Sequence, residues 1–129
     1  MHRLGLMLLL LCAAPGGARA ADPPLEKFVV YFQEWSAAID DPALVVIRQA
    51  AERIKSHPGE IAYVNGFAST IGSRQANLLL ADLRAQVVVD QLLTDGIDRN
   101  RVRQRGHGPV PFILIPEESR RVEISIERH

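Results

Sequence analysis

The longest helical pattern in the chain, between Ser73 and Gly96, most constrains the fold. Ser73 can cap a helix that begins at Arg74, and Gly96 can end it near Asp95. Seven side chains recur every three or four positions and therefore share one helical face: Asn77, Leu80, Ala81, Arg84, Ala85, Val88 and Leu92. A helix of this length must bury that face against another layer, so the segment predicts a helix packed on a sheet.

The remaining segments supply that sheet and a second helix. Four short segments carry the β-branched or alternating pattern of strands: 27–32, 61–67, 101–106 and 120–127. Asp41 and Pro42 predict the capped start of a helix that runs to Ser56. The order is βαβαββ, and 129 residues suit one domain. The sequence predicts an α+β fold, a two-layer sandwich with two helices packed on a mixed sheet of about four strands.

Residues 1–20 have the features of a secretory signal peptide: a basic start, a short apolar stretch and an A-x-A end. Cleavage after Ala20 would release residues 21–129 as one exported domain. Cys12 allows an alternative, a lipoprotein acylated at that thiol, although Leu11 stands where lipoprotein processing takes a small residue. After cleavage at Ala20 the chain has no cysteine, which excludes disulfides and thiol chemistry.

Charge and motifs argue against several classes of function. Fifteen basic residues balance fifteen acidic ones, so no strong field points to nucleic acid. The sequence has no Gly-x-Ser-x-Gly elbow, no His-Glu-x-x-His pair and no glycine-rich phosphate loop. His57, His107 and His129 lack the spacing of metal ligands. We therefore expect no enzyme activity, no cofactor, no metal and no transmembrane span in the exported chain.

Arg84 is the one charged residue on the predicted buried face of the long helix. Its stem could lie along apolar surface with the guanidinium in water. It could also form a structural ion pair with a loop carboxylate, because an unpaired buried charge costs several kcal/mol. A third possibility is that it binds a ligand. Periodicity leaves all three open.

The residues around Arg84 resemble a known family. The stretch "NGFASTIGSRQANLLLADLRAQVVVDQLLTDGIDRNRV", followed by "GHG" and "SRRVEI", is similar in order and spacing to the OmpA-like peptidoglycan-binding domain, and "VVYFQEWSAAI" is similar to its opening strand. The resemblance implies the same βαβαββ fold. It also implies a non-catalytic module of the Gram-negative cell envelope that binds the diaminopimelate residue of the peptidoglycan stem peptide.

The resemblance carries over to particular residues. Arg84 matches the family arginine that holds the ligand carboxylate, which suits a planar fork of fixed donors. Asn77 matches the family asparagine, Gly72 the turn glycine, and Arg120 and Arg121 the tail arginines. The predicted ligand-binding residues are Arg84, Ser69, Thr70, Asn77 and Arg120.

The chain departs from the family where that ligand's ammonium is bound. Phe67, Ala68 and Ser69 replace a His-Thr-Asp sequence, so a hydroxyl stands where the family has a carboxylate. Losing one charged hydrogen bond predicts at least roughly tenfold weaker binding of the zwitterion. Ser119 and Ala81 also replace a family asparagine and serine. The alternative function is a protein-interaction module of the envelope with a vestigial pocket, whose partner would be another envelope protein.

Three further surfaces leave alternatives open. The basic run Arg99, Arg101, Arg103 and Arg105 predicts a solvated sheet face, or attraction to anionic envelope polymers. The apolar line Leu79, Leu83 and Val87 indicates a wide buried helix face, or a partner contact. The apolar loop 109–116 could be an exposed partner-binding loop or a loop folded under the sheet.

Overall fold

The structure is a computed structural model that describes residues 24–109 and 116–128. The predicted signal peptide, Cys12 and nearly all of the loop 109–116 lie outside the described residues. Among the helices that are described, none combines the length and the apolarity needed to cross a bilayer.

The described residues form the predicted βαβαββ order. Its elements are β1 (Glu26–Tyr31), α1 (Asp41–Ser56), β2 (Glu60–Ala68), α2 (Arg74–Thr94), β3 (Val102–Pro109) and β4 (Arg121–Arg128). Short 3-10 turns precede β3 at Arg99–Arg101 and β4 at Pro116–Ser119. Two helices therefore lie on a four-stranded sheet, which confirms the predicted fold class.

The sheet has the strand order β1-β4-β2-β3 and is mixed. β4 runs antiparallel to both β1 and β2, whereas β3 runs parallel to β2. Val122, Ile124 and Ile126 of β4 are fully buried in the core shared with the helices, as their alternation predicts. The last strand in the sequence is thus a central strand, and its apolar face is the centre of the core.

Both helices begin at side-chain caps, one of them a residue earlier than predicted. Asp40, not Asp41, caps α1: its Oδ1 accepts a hydrogen bond from the Ala43 N–H at 2.9 Å. Asp41 is the first helical residue, where a negative charge suits the helix dipole. Ser73 caps α2 as predicted, accepting from the Ala76 N–H at 3.3 Å.

α2 approaches β2 unusually closely at Gly66. A Cβ at this position would lie 2.1 Å from the main-chain oxygen of Ala81 and 3.1 Å from the Cβ of Ala85. Only a residue without a side chain fits between the two elements. Gly66 therefore sets the distance between helix and sheet next to the end of β2.

The basic run does not form one face of a strand. β3 begins at Val102 and extends to Pro109, so Arg101 lies in the preceding 3-10 turn. Its guanidinium donates to the carbonyl oxygens of Ile54, His57 and Glu60 at distances of 2.6–3.2 Å. Arg101 thus satisfies the end of α1, a contact between distant segments that strand alternation cannot reveal.

The prediction that the apolar line Leu79, Leu83 and Val87 widens the buried face of α2 is wrong. Leu79 is 64% exposed and Leu83 is 52% exposed, and only Val87 packs against the core. The core accepts one stripe of the helix, centred on Ala81, Ala85 and Val88. The two leucines one turn apart are left on the surface.

Candidate ligand-binding site

A cavity of about 90 Å³ lies at the edge of the sheet where β1 and β2 end and β4 begins. The first part of α2 forms its remaining wall. Six of the nine lining residues are polar or charged: Glu34, Ser69, Asn77, Arg84, Ser119 and Arg120. Its apolar lining is Trp35, Ile71 and Leu80. Four of the five predicted site residues thus surround one space.

Arg84 is the largest fully buried side chain among the described residues, with 1% of its surface exposed. Its Nε donates to the Ser36 carbonyl oxygen at 2.8 Å, and its Nη2 donates to the Gln33 carbonyl oxygen at 3.0 Å. Its Cζ lies 5.4 Å from the centre of the Phe32 ring. These contacts fix the guanidinium and hold the segment after β1 against α2.

The electrostatic surroundings of Arg84 disfavour its charge. Burial, together with the nearby positive charge of Arg120, lowers the pKa of Arg84 to about 10. At neutral pH the guanidinium therefore remains protonated. Within the described part of the chain, no carboxylate forms an ion pair with Arg84. The stem does not extend to water, so neither a snorkelling side chain nor a structural ion pair describes this arginine.

One edge of the Arg84 guanidinium faces the cavity. Nη1 donates no hydrogen bond to any described residue. No fully buried side-chain nitrogen or oxygen in the described residues lacks a partner, so Nη1 retains some accessible surface, and Arg84 lines the cavity. The arrangement offers N–H donors of a fixed cation to a ligand oxygen.

The two tail arginines point to opposite faces of the sheet. Arg120 lines the cavity, and its Nε donates to the Phe32 carbonyl oxygen at 3.2 Å. Arg121 packs on the other face, with its Cζ 4.1 Å from the centre of the Phe67 ring and its Nε 3.2 Å from Oε1 of Glu123. Only Arg120 therefore adds positive charge to the cavity.

Asn77 and Ser69 shape the loop between β2 and α2. The Asn77 Nδ2 donates to the carbonyl oxygens of Ile71 at 2.8 Å and Ser73 at 3.0 Å. The Ser69 Oγ accepts a hydrogen bond from the Ile71 N–H at 3.0 Å. Thr70 is exposed and does not line the cavity. The hydroxyl at the family's aspartate position is thus engaged in its own turn.

Five of the nine lining residues were not among the predicted site residues, and two of these five, Glu34 and Trp35, lie in the loop after β1. Trp35 has a φ of 53°, an uncommon backbone conformation for a residue other than glycine or asparagine, and its side chain is exposed: 60% of the residue's surface is accessible. Its ring lies over the turn at Gly72, where an added Cβ would be 3.7 Å away. An aromatic residue in a polar loop was the available signal.

The fold and the cavity together define a class of protein: a βαβαββ domain with a buried arginine that lines a cavity at one end of its sheet. The OmpA family matches residues 31–114, which is well over half of the chain. The chain belongs to the OmpA family.

Individual relatives agree with this membership. The probable lipoprotein YiaD of Escherichia coli is 29% identical over 103 residues, covering 75% of this chain and 47% of the relative. The peptidoglycan-associated lipoprotein of Legionella pneumophila is 26% identical over 105 residues, covering 81% of this chain and 59% of the relative. The chain thus spans about half the length of these curated relatives.

A solved structure shows the same fold. The peptidoglycan-associated lipoprotein from Burkholderia pseudomallei superposes with a TM-score of 0.72 at 24% identity, covering 78% of this chain and 90% of the other. At this level of identity the likeness concerns the architecture.

Proposed function

We propose that this domain is a non-catalytic module of the cell envelope that binds peptidoglycan through the diaminopimelate residue of its stem peptide. The observation that carries the proposal is Arg84: a buried, protonated guanidinium that forms no ion pair with a described residue and has one edge open to a cavity. A ligand carboxylate would supply the missing counter-charge. Charge-assisted, bidentate hydrogen bonds of this kind are among the stronger ones in proteins.

The surroundings of Arg84 suit a binding role. The carbonyl oxygens of Gln33 and Ser36 fix the guanidinium before any ligand arrives, so little side-chain entropy is lost on binding. Arg120 would reinforce the attraction for an anion. Ser69 and Asn77 would hold the loop that forms the rim, whereas Thr70 is exposed and is not part of the cavity lining.

The names of the relatives support a location in the cell envelope. One is named a peptidoglycan-associated lipoprotein, and outer membrane protein A of Klebsiella aerogenes is 47% identical over 47 residues, which cover 36% of this chain and 13% of the relative. Together with the predicted signal peptide in residues 1–20, they support export to the periplasm or to the outer membrane.

Sedimentation with purified, diaminopimelate-containing peptidoglycan tests the proposal. Arg84→Ala would remove the anchor, but it would also leave two main-chain oxygens without their donors and could loosen the fold. Leu80→Trp is the sharper variant, because Leu80 lines the cavity and the larger ring would fill it while the Arg84 hydrogen bonds remain. Leu79→Trp is its matched control on the neighbouring, exposed helix position.

We expect the wild type and Leu79→Trp to sediment with the wall, and Leu80→Trp to remain in the supernatant. Circular dichroism and melting curves would establish that all three are folded. Equal sedimentation of the two tryptophan variants would contradict the role of the cavity, and failure of the wild type to sediment would contradict wall binding altogether.

The exposed leucines of α2 favour a second candidate function, interaction with another envelope protein. Leu79 and Leu83 form an apolar surface that the fold does not use. Crosslinking in intact cells would compare the wild type with Leu79→Ser/Leu83→Ser. Loss of a discrete crosslinked species in the double variant, with wall binding unchanged, would support this candidate, and an unchanged crosslinking profile would contradict it.

A further inference from the structure

Glu34, an exposed residue, lines the cavity together with Arg84 and Arg120, although its position in the sequence gives no hint of a site. It is the one acidic residue among the described residues that line this space. We propose that the Glu34 carboxylate receives the ammonium group of the ligand and so replaces the carboxylate that is missing at Ser69. This inference rests on the proposed function and assigns a further specificity-determining residue to the same site.

Glu34 has no charged partner among the described residues. Five other glutamates of the described chain lie within 4 Å of a lysine or arginine nitrogen: Glu26, Glu52, Glu60, Glu123 and Glu127. Glu34 forms no ion pair or hydrogen bond with a described residue, even though two guanidinium groups line the same cavity. The cavity therefore holds charges of both signs that do not neutralise each other at contact distance.

The hydrogen bonds of Arg84 go to the backbone next to Glu34 and not to the Glu34 carboxylate. Arg84 binds the carbonyl oxygens of Gln33 and Ser36, the two residues that bracket Glu34 and Trp35. The guanidinium thus holds the backbone of this loop rather than its carboxylate. The same arginine that faces the cavity fixes the segment that brings Glu34 to it.

The backbone adopts an uncommon conformation directly after Glu34. Trp35 has a φ of 53°, which is strained for this residue type and persists only where the surroundings impose it. Glu34 and Trp35 both line the cavity. An aromatic ring beside a carboxylate is a favourable environment for an ammonium group.

These charges fit a ligand in which a carboxylate and an ammonium group share one carbon atom. Arg84 and Arg120 would meet the carboxylate, and Glu34 and Trp35 would meet the ammonium. Ser69, whose hydroxyl accepts from the Ile71 N–H, is left to shape the turn. The departure at Ser69 would then mark a relocated acid rather than a vestigial pocket.

A comparison of two ligands tests this assignment. The probes are meso-diaminopimelate and pimelate, which is the same dicarboxylate without the amino groups. Trp35 is the only tryptophan in the chain and lines the cavity, so its fluorescence can report binding, with chemical-shift titration as the second readout. The measured quantity is the ratio of the two dissociation constants.

We expect the wild type to prefer meso-diaminopimelate over pimelate by about tenfold or more. Glu34→Gln should remove most of that preference while pimelate binds as well as before or better. Ser69→Asp, added to Glu34→Gln, should restore the preference by returning a carboxylate to the rim. Glu52→Gln, on the exposed side of α1, is the matched control and should leave the ratio unchanged.

The outcomes separate this inference from the proposed function. If both ligands bind and Glu34→Gln leaves their ratio unchanged, the role of Glu34 is overturned while the cavity remains a carboxylate site. If the wild type gives no saturable response to either ligand, both proposals fail.

Discussion

Two arginines at opposite ends of the sheet are held in opposite ways. Arg53 of α1 binds the Glu60 carboxylate with two hydrogen bonds, Nε to Oε2 at 3.0 Å and Nη2 to Oε1 at 2.8 Å. The carboxylate raises the pKa of Arg53, whereas burial lowers the pKa of Arg84 to about 10. Arg53 has its counter-charge within the protein, and Arg84 lacks one among the described residues. The difference separates a structural ion pair from the arginine that we propose as an anion site.

Arg101 shows that carbonyl ligands alone do not mark a site. Like Arg84, it donates to main-chain oxygens, those of Ile54, His57 and Glu60. The oxygens of Ile54 and His57 lie at the end of α1, where carbonyl groups attract a cation, and that of Glu60 belongs to the first residue of β2. Arg101 does not line the cavity described above. The open edge of Arg84 is therefore the informative feature.

The largest loss of stability is expected at Gly66, the glycine at the end of the sheet where Arg84 lies. Gly66→Ala would place a Cβ 2.1 Å from the main-chain oxygen of Ala81 and push α2 away from β2, at a cost of roughly 3 kcal/mol. Gly59→Ala is the matched control near Arg53: it has a φ of +93° but no atom within 4 Å of the added Cβ, and backbone strain alone should cost about 1 kcal/mol. Urea unfolding measures both free energies of unfolding.

Equal losses at the two glycines would contradict the close helix–sheet contact. The same experiment also tests the cavity, because the ends of β2 and the first turns of α2 form its walls. Gly66→Ala should weaken wall sedimentation even in the fraction that remains folded, whereas Gly59→Ala should not.

A smaller effect is expected from the Arg53 side, and it depends on pH. The hydrogen bonds from Arg53 lower the pKa of Glu60. A carboxyl group with a lowered pKa in the folded state stabilises the protein above its ordinary pKa, and this contribution disappears as the pH falls through the lowered value. Glu60→Gln should therefore lower Tm at pH 7, and its Tm should converge on that of the wild type in acid. A difference that persists at pH 2 would contradict the ion pair as its cause.

The smallest effect is expected for ligand affinity at the cavity when the pH is changed between 6 and 9. With its pKa at about 10, Arg84 remains protonated from pH 6 to pH 9. The affinity for pimelate, whose carboxylates are ionised throughout this range, should therefore stay constant. A steep fall in affinity across this interval would show that a group other than Arg84 carries the binding, and fluorescence titrations at several pH values would detect it.

The fold was predictable because each element follows one periodicity. The alternation in β4 and the stripe on α2 placed Val122, Ile124 and Val88 in the core, and Ser73 marked the start of α2. The cap of α1 was misplaced by one residue, since Asp40 and Asp41 carry the same side chain and only the backbone geometry separates them.

The candidate site was only partly predictable. The resemblance identified Arg84, Asn77, Ser69 and Arg120, which surround the cavity. Glu34 was not predicted, because no periodic pattern fixes the direction of a side chain in an irregular loop. Its placement depends on hydrogen bonds from Arg84, about fifty residues further along the chain.

The exposure of Leu79 and Leu83 was also beyond the sequence pattern. Their spacing of four is equally compatible with a wide buried face and with an exposed one. The width of the buried stripe is set by how closely Gly66 brings α2 to the sheet.

The most direct test of the account is a crystal structure of the protein with meso-diaminopimelate. We expect one carboxylate of the ligand within about 3 Å of Arg84 Nη1, with the adjacent ammonium group beside Glu34. The hydrogen bonds from Arg84 to the carbonyl oxygens of Gln33 and Ser36 should persist. A ligand bound outside the cavity, while the open edge of Arg84 is covered by the protein's own side chains, would contradict the account.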